Sequence, residues 1–245
     1  MPKLFAADCD LSAESILLTG ENADHLRVLR VRPGEQLMIS DGRGMEALCV
    51  VDLAGKDGCR LRVLERIAAT GEATVSAAVY AAFPKGDKAE VIVQKSVELG
   101  ASSIIFFLSS RCIARPDEKA AKSKMERLNK ISQAAAEQSG RGRVPPVRWI
   151  PGFGDMLAEA ASADLSAFLW EDADGYSLKK QLQSAASFRT AALITGPEGG
   201  FSQEEAQMAR DAGIPAVTLG RRILRCETAP LCALTALMYE SGNLE

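Results

Sequence analysis

From about residue 74 the chain alternates between short apolar runs and longer amphipathic stretches, and the rhythm continues to its end. VSAAVYAAF reads as a buried strand, and DKAEVIVQKSVELG as a helix ending with Gly100 at C′, where a left-handed residue costs glycine little. SIIFFL is the next strand. EKAAKSKMERLNKISQAAAEQ is a long helix with Met125, Leu128 and Ile131 on one side. Apolar runs recur at SAFLW, AALIT and AVTL, with helical stretches between them. Parallel strands need long crossovers, and helical crossovers cover the sheet, so this alternation predicts a parallel α/β sheet with helices on both faces. Ligands of such sheets sit beyond the carboxyl ends of the strands.

Before that point the chain follows another rule. Up to about Ile67, LRVLRVRPGEQLMISDGRGMEALCVVDLAGKDGCRLRVLERI sets short β-branched runs between Pro-Gly at Pro33 and Asp-Gly at Asp41 and Asp57. Those dipeptides are turn and hairpin signals, and strands at this spacing predict a small β-barrel. Arg27, Arg30 and Arg32 alternate with apolar residues, as on one charged face of that barrel. AATGEAT (68–74) is small, polar and aperiodic, which places a linker there and domains at 1–70 and 74–245.

Composition removes several classes of function. No apolar run approaches the roughly 18 residues needed to span a bilayer. MPKLFAADCD lacks the apolar core of a secretion signal, so the expectation is a cytoplasmic protein with no membrane partner. The six cysteines are scattered without a C-x-x-C pair, neither a disulfide framework nor a zinc knuckle. With His25 the one histidine, a histidine-built metal site or Ser-His-Asp triad lacks its parts, and no metal is expected. His25 itself is either a lone base or a surface or capping residue. The net charge of −3 hides an asymmetry: over 111–148 ten bases, Arg111, Arg115, Arg141 and Arg143 among them, face four acids. Such a stripe either captures a polyanion or is a solvated helix face.

Two glycine-bearing turns follow strand ends. In LITGPEGGFSQEE, Gly196, Gly199 and Gly200 admit backbone angles closed to other residues and let a ligand approach without a Cβ in the way. Ser202 and Glu205 form an S-x-x-E capping box, which occupies backbone donors that an anion would use. There is no P-loop lysine and no G-x-G-x-x-G, and Glu198 adds a negative charge. The turn therefore suits a cationic or neutral, donor-rich ligand, and S-adenosylmethionine fits; the alternative is a tight turn that binds nothing. In LGRRILRCETAP, Leu219 and Gly220 end a strand, arginines flank Ile223 and Leu224, and Thr228 and Pro230 open the last helix. Along that helix Leu231, Leu234, Leu237 and Met238 fall at core spacing.

GPEGGFSQEE together with LGRRILRCETAPLCAL resembles the signature of the RsmE family, the 16S ribosomal RNA uridine N3-methyltransferases of the SPOUT superfamily. HLRVLRVRPGEQLMISDGRG, KGDKAEVIVQKSVELGASSIIFFLSSR and EQSGRGRVPPV extend the resemblance over nearly the whole chain. Members usually carry arginine where this chain has Lys3, and threonine or a similar residue where it has Cys226. The resemblance implies a PUA-like RNA-binding β-barrel followed by an α/β trefoil-knot (SPOUT) methyltransferase domain, with the active site at a homodimer interface. It implies S-adenosyl-L-methionine as cofactor, 16S ribosomal RNA in the small ribosomal subunit as partner, and N3-methyluridine at position 1498 as product. Carried onto this chain, the cofactor residues would be Trp170 and Glu171; Leu193, Ile194, Thr195, Gly196, Glu198, Gly199 and Gly200; and Leu219, Gly220, Ile223, Leu224, Arg225, Thr228 and Ala229.

The chemistry asks for more. Uracil N3 must lose a proton, and aligning nitrogen, methyl and sulfur can supply roughly 7–11 kcal/mol of the barrier. Arg225 is the candidate partner of the uracil anion, or pairs with Glu198 or Glu227; Glu137 is a base or an orienting group, or merely ends its helix. Expected RNA contacts are Lys3, His25, Arg27, Arg30 and Arg32 in the barrel, and Lys85, Arg111, Arg115, Arg141 and Arg143 beyond it. Aromatic residues make up 5%, too few for extensive base stacking, which suggests recognition by shape with one base extruded. Methylation of another RNA, such as transfer RNA ribose, and a non-catalytic RNA-binding or assembly role are the alternatives.

Overall fold

The computed structural model describes residues 1–6, 9–55, 58–173, 175–185 and 187–244. The chain divides into two compact units, Met1–Glu72 with Ala136–Val144, and Ala73–Ala135 with Pro145–Glu245.

The described residues of the first unit form β1 (Lys3–Phe5), β2 (Ser15–Leu18), α1 (Gly20–Val28), β3 (Gln36–Ser40), β4 (Met45–Gly55) and β5 (Gly58–Ala68). The sheet order is β1-β3-β4-β5-β2, antiparallel except for β1 beside β3. Alternate side chains point inward, and Leu37, Ile39, Ala47, Cys49 and Leu61 are fully buried. The Asp-Gly signal at Asp41 makes the β3–β4 hairpin: its carboxylate accepts the N–H of Arg43 at 2.7 Å and of Met45 at 3.0 Å. The signal at Asp57 lies outside the described residues.

The alternation around Arg27 is not that of a strand. Residues 20–28 are helical, with Ala23 and Leu26 buried one turn apart and Arg27 paired to Asp24 at 2.8 Å across i,i+3. Arg30 follows with φ +55. The arginines thus lie on and just after a helix, not along one face of a strand.

Segment Ala136–Val144 completes the first unit. Arg143 bridges Arg43 antiparallel, Gly44 N donates to Gly142 O at 3.2 Å, and Val144 N donates to Gly42 O at 3.2 Å. Gly142 is required there, because a Cβ would overlap the Ala69 side chain.

The second unit contains β6 (Ser76–Ala82), α2 (Lys88–Glu98), β7 (Ser103–Phe107), α3 (Glu118–Gln138, whose last turn belongs to the first unit), β8 (Val147–Ile150) and α4 (Phe153–Ala160). β9 (Leu165–Leu169), α5 (Leu178–Ser184), β10 (Thr190–Thr195), α6 (Gln203–Asp211), β11 (Ala216–Val217) and α7 (Thr228–Glu240) follow. The six strands are all parallel, in the order β11-β9-β10-β6-β7-β8. Gly100 sits after the α2 cap at φ +94, as the spacing predicts. Two side chains differ from expectation. On α3 the buried stripe runs through Met125, Leu128 and Ser132, leaving Ile131 half-buried; on α7, Ala233 takes the buried place and Leu231 is half-buried.

A core of Phe107, Phe168, Ile194 and Phe201 packs against the sheet. Phe201 stacks on Phe168 with ring centroids 4.1 Å apart and is 2% exposed. Since Phe201 directly follows GPEGG, the glycine turn is anchored by an aromatic plug.

Candidate functional site

Because β11, β9 and β10 are parallel neighbours, their carboxyl ends share one edge of the sheet, and the loops leaving them stand side by side. A cleft of about 150 Å³ opens there, between the end of β9 and the loop after β11. Trp170, Glu171, Leu219, Gly220, Ile223, Leu224 and Ala229, all predicted from sequence, line it. The Trp170 backbone N–H donates to Val217 O at 3.0 Å, fixing one wall to the other. Leu169, Thr218, Arg221 and Arg222 also line the cleft and were not among the predicted residues. Their signal was contiguity: each adjoins a predicted lining residue.

The GPEGG turn meets this cleft through Glu171. Gly200 has φ +64, and a Cβ on it would run into the Glu171 carboxylate. A Cβ on Gly196 would come within 3.2 Å of the Phe201 ring, and one on Gly199 within 3.2 Å of Arg111 Cβ. The absent side chains therefore leave room that the loop itself uses. Leu193, Ile194 and Thr195 are buried within β10, with Thr195 Oγ1 donating to Tyr80 O at 3.3 Å. Their side chains belong to the sheet, not to the cleft wall.

The capping box is complete: Glu205 N donates to Ser202 Oγ at 3.2 Å, and Ser202 N to Glu205 Oε2 at 2.9 Å. Glu205 has a second task that sequence reasoning missed. Buried at 5% exposure, it also accepts Ser110 N–H at 2.7 Å and the Ser109 hydroxyl at 3.2 Å. It thereby ties the loop after β7 to the turn after β10. Arg111 in that loop donates to Gly199 O at 2.9 Å.

Glu198 is not an open charge. Its Oε1 accepts Lys88 Nζ at 2.8 Å and Lys85 N–H at 3.0 Å. Burial raises the acid's pKa, but the Lys88 ammonium and these N–H donors outweigh it and hold the carboxyl below its usual range. Lys88 also reaches Glu227 Oε2 at 3.8 Å and Cys226 Sγ at 3.8 Å. Burial and the neighbouring Glu227 push the Cys226 thiol up to about 12, so it stays neutral at neutral pH. The partner of Glu198 is thus Lys88, and Arg225 is exposed at the loop before α7. Thr228 is half-buried in the first turn of α7.

Of the predicted RNA contacts, Arg141 is corrected. It is 5% exposed and pairs with Glu72 at 2.6 Å, so its guanidinium is a buried strut and does not face solvent. Lys3 is also engaged, with Nζ donating to Glu46 Oε1 at 2.5 Å and Gly140 O at 2.9 Å. Arg115 is turned onto its own loop, donating to the carbonyls of Ser109 and Ser110 at 2.8 Å each. His25, Arg27, Arg30, Arg32, Lys85, Arg111 and Arg143 are exposed. Glu137 is half-buried near the end of α3, in the first unit, whereas Arg225 belongs to the second. Among the described residues, no three His, Cys, Asp or Glu side chains converge as a metal site. None of the described helices is long and apolar enough to cross a membrane.

The chain matches known proteins over both units. A family model for an RNA methyltransferase domain matches residues 72–238, and one for an RNA methyltransferase PUA domain matches residues 18–64. The ribosomal RNA small subunit methyltransferase E of Bacillus subtilis is 33% identical over 95% of this chain and 93% of its own length. The protein of the same name from Mycobacterium tuberculosis is 33% identical over 93% and 87%. A crystal structure of ribosomal RNA small subunit methyltransferase E from Neisseria gonorrhoeae bound to S-adenosyl methionine superposes with a TM-score of 0.85. It is 32% identical to this chain and covers 98% of it, and 97% of that chain is covered in return.

Proposed function

The chain belongs to the ribosomal RNA small subunit methyltransferase E family, and on that premise we propose that it transfers a methyl group from S-adenosylmethionine to N3 of uridine 1498 in 16S ribosomal RNA. The observation that carries this reading is the cleft where the loops after β9 and β11 meet, with the GPEGG turn resting on its Glu171 wall. The walls fit the cofactor. Leu219, Ile223 and Leu224 offer an apolar surface for an adenine ring, and the Trp170 indole N–H is buried without a hydrogen-bond partner. When held there, the cofactor supplies a sulfonium methyl group to the attacking nitrogen.

This chain's own groups have three tasks in that reaction. The glycine turn and the 219–228 loop orient the donor so that nitrogen, methyl and sulfur align. Arg225, exposed within the second loop, favours the uracil anion electrostatically. Glu137 takes the N3 proton or orients an arginine that assists. Exposed Arg27, Arg30, Arg32, Arg111 and Arg143 contact phosphates without reading sequence. A homodimer in the cytoplasm completes the reading.

Nucleoside mass mapping of RNA from a deletion strain tests it, with purified small subunits and naked transcript as substrates in vitro. The expected result is loss of N3-methyluridine from small-subunit RNA alone. Intact N3-methyluridine with a methyl missing from a transfer RNA would refute the substrate, and absence of calorimetric heat with S-adenosylmethionine would refute the enzyme.

A further inference from the structure

Three loops at the carboxyl edge of the second unit converge on one ammonium. Lys88 is the first residue of α2, so it follows the turn after β6. Its Nζ lies 2.8 Å from Glu198, in the turn after β10, and 3.8 Å from Glu227, in the loop that leads from β11 into α7. The backbone N–H of Lys85 adds a second donor to Glu198 from the same turn, and Cys226 Sγ lies within 3.8 Å of the ammonium. An ammonium has three N–H donors and can serve several acceptors at once.

Apart from the buried Cys226, this cluster is not core packing. The Lys88 side chain is 30% exposed and those of Glu198 and Glu227 are 23% exposed, and pairs so open to water add little to stability. What the cluster fixes is the relation between two loops far apart in sequence. Leu224 and Ala229, on either side of Cys226 and Glu227, line the cleft, and Glu198 sits in the turn that rests on Glu171 of the opposite wall. Without the ammonium, two carboxylates would face each other across that gap and push the loops apart.

We propose that Lys88 is a positioning residue for the S-adenosylmethionine cleft, holding the GPEGG turn and the 219–228 loop at the separation the cofactor requires. The proposal rests on the functional reading above. It places Lys88 off the ligand and acting through Glu198 and Glu227, so cofactor affinity should move more than chemistry.

The test uses the full-length protein and calorimetric titration with S-adenosylmethionine, followed by steady-state kinetics on small subunits. For Lys88→Met the Kd for the cofactor should rise roughly tenfold, with kcat at saturating cofactor within about threefold of wild type. Its Tm should stay within roughly two degrees. Lys88→Arg should restore the affinity to within about threefold, because a cation of similar reach is kept. Wild-type affinity in Lys88→Met, or a fall in kcat alone, overturns the proposal. Should Lys88→Met fail to fold, Glu198→Gln must show the same loss of affinity, and wild-type affinity there overturns it too. If the wild-type protein gives no heat with S-adenosylmethionine, the functional reading fails first; if it binds and Lys88→Met binds equally, only the strut fails.

Discussion

Each unit of this protein pins a loop with a cation–carboxylate contact, but at different depths. In the first unit the Arg141 side chain is 5% exposed and its partner Glu72 20%, and the same carboxylate accepts the N–H groups of Gly142 and Arg143 at 3.0 Å each. In the second unit the Lys88 ammonium stays 30% exposed between two carboxylates. A contact whose cation is buried cannot be broken cheaply, because removing Arg141 empties packed space and takes both guanidinium hydrogen bonds from Glu72. A half-open pair costs little to break but still sets a distance. Depth therefore separates a contact that holds a fold from one that shapes a cleft.

The sharpest way to break this contrast is Arg141→Ala. It should destabilise the protein by about 3 kcal/mol, read by urea unfolding, because Glu72 is left without its guanidinium. A loss below about 0.5 kcal/mol would place Arg141 among ordinary surface charges. Next in size is Gly200→Val. Its φ of +64 is costly for a branched residue, by roughly 1–2 kcal/mol, and the new side chain displaces Glu171. Cofactor affinity should fall at least about tenfold in calorimetry, while the first unit keeps its unfolding behaviour. Unchanged affinity would detach the turn from the cleft.

Arg143→Ala sharpens the contrast from the other side, since Arg143 is exposed where Arg141 is buried. It should leave stability unchanged and lower the salt slope of RNA binding by about one unit. An unchanged slope would remove it from the RNA contacts. The smallest effect is chemical. Cys232 is exposed, whereas burial and Glu227 push the Cys226 thiol up to about 12. At pH 8 iodoacetamide should label Cys232 and leave Cys226 intact by peptide mass, since the thiolate is the nucleophile. Labelling of both at one rate would mean that the Lys88 cluster opens readily.

Much of the second unit could be read in advance because its signals are local. Strand–helix alternation, Gly100 after α2 and the Ser202–Glu205 box each lie within a few residues of the structure they specify. Five cleft residues, Leu219, Gly220, Ile223, Leu224 and Ala229, were named in advance because they belong to one motif, whereas Arg221 and Arg222 in the same loop were not. Helix α1 was not legible, because it buries only Ala23 and Leu26, and Arg27 at its end, with Arg30 and Arg32 after it, is interleaved with apolar residues as in a strand. The contacts that organise both units were hidden by sequence distance. Lys88 meets Glu198 across 110 residues, and Arg141 meets Glu72 across 69. Charge counting saw ten bases over 111–148 but had no means of telling which would be buried. That difference is a matter of desolvation, which depends on the packed chain and not on composition.

Segment Ala136–Val144 carries a consequence for the order of events in synthesis. Lys3 donates to the carbonyl of Gly140, Ser40 to that of Gly142, and Glu72 waits for Arg141. A ribosome that has released the first 72 residues has therefore delivered a sheet whose last partners are still to be translated. The amino-terminal unit must linger unfinished until more than half the polypeptide exists, and expression of that fragment alone would yield a domain missing its final clasp.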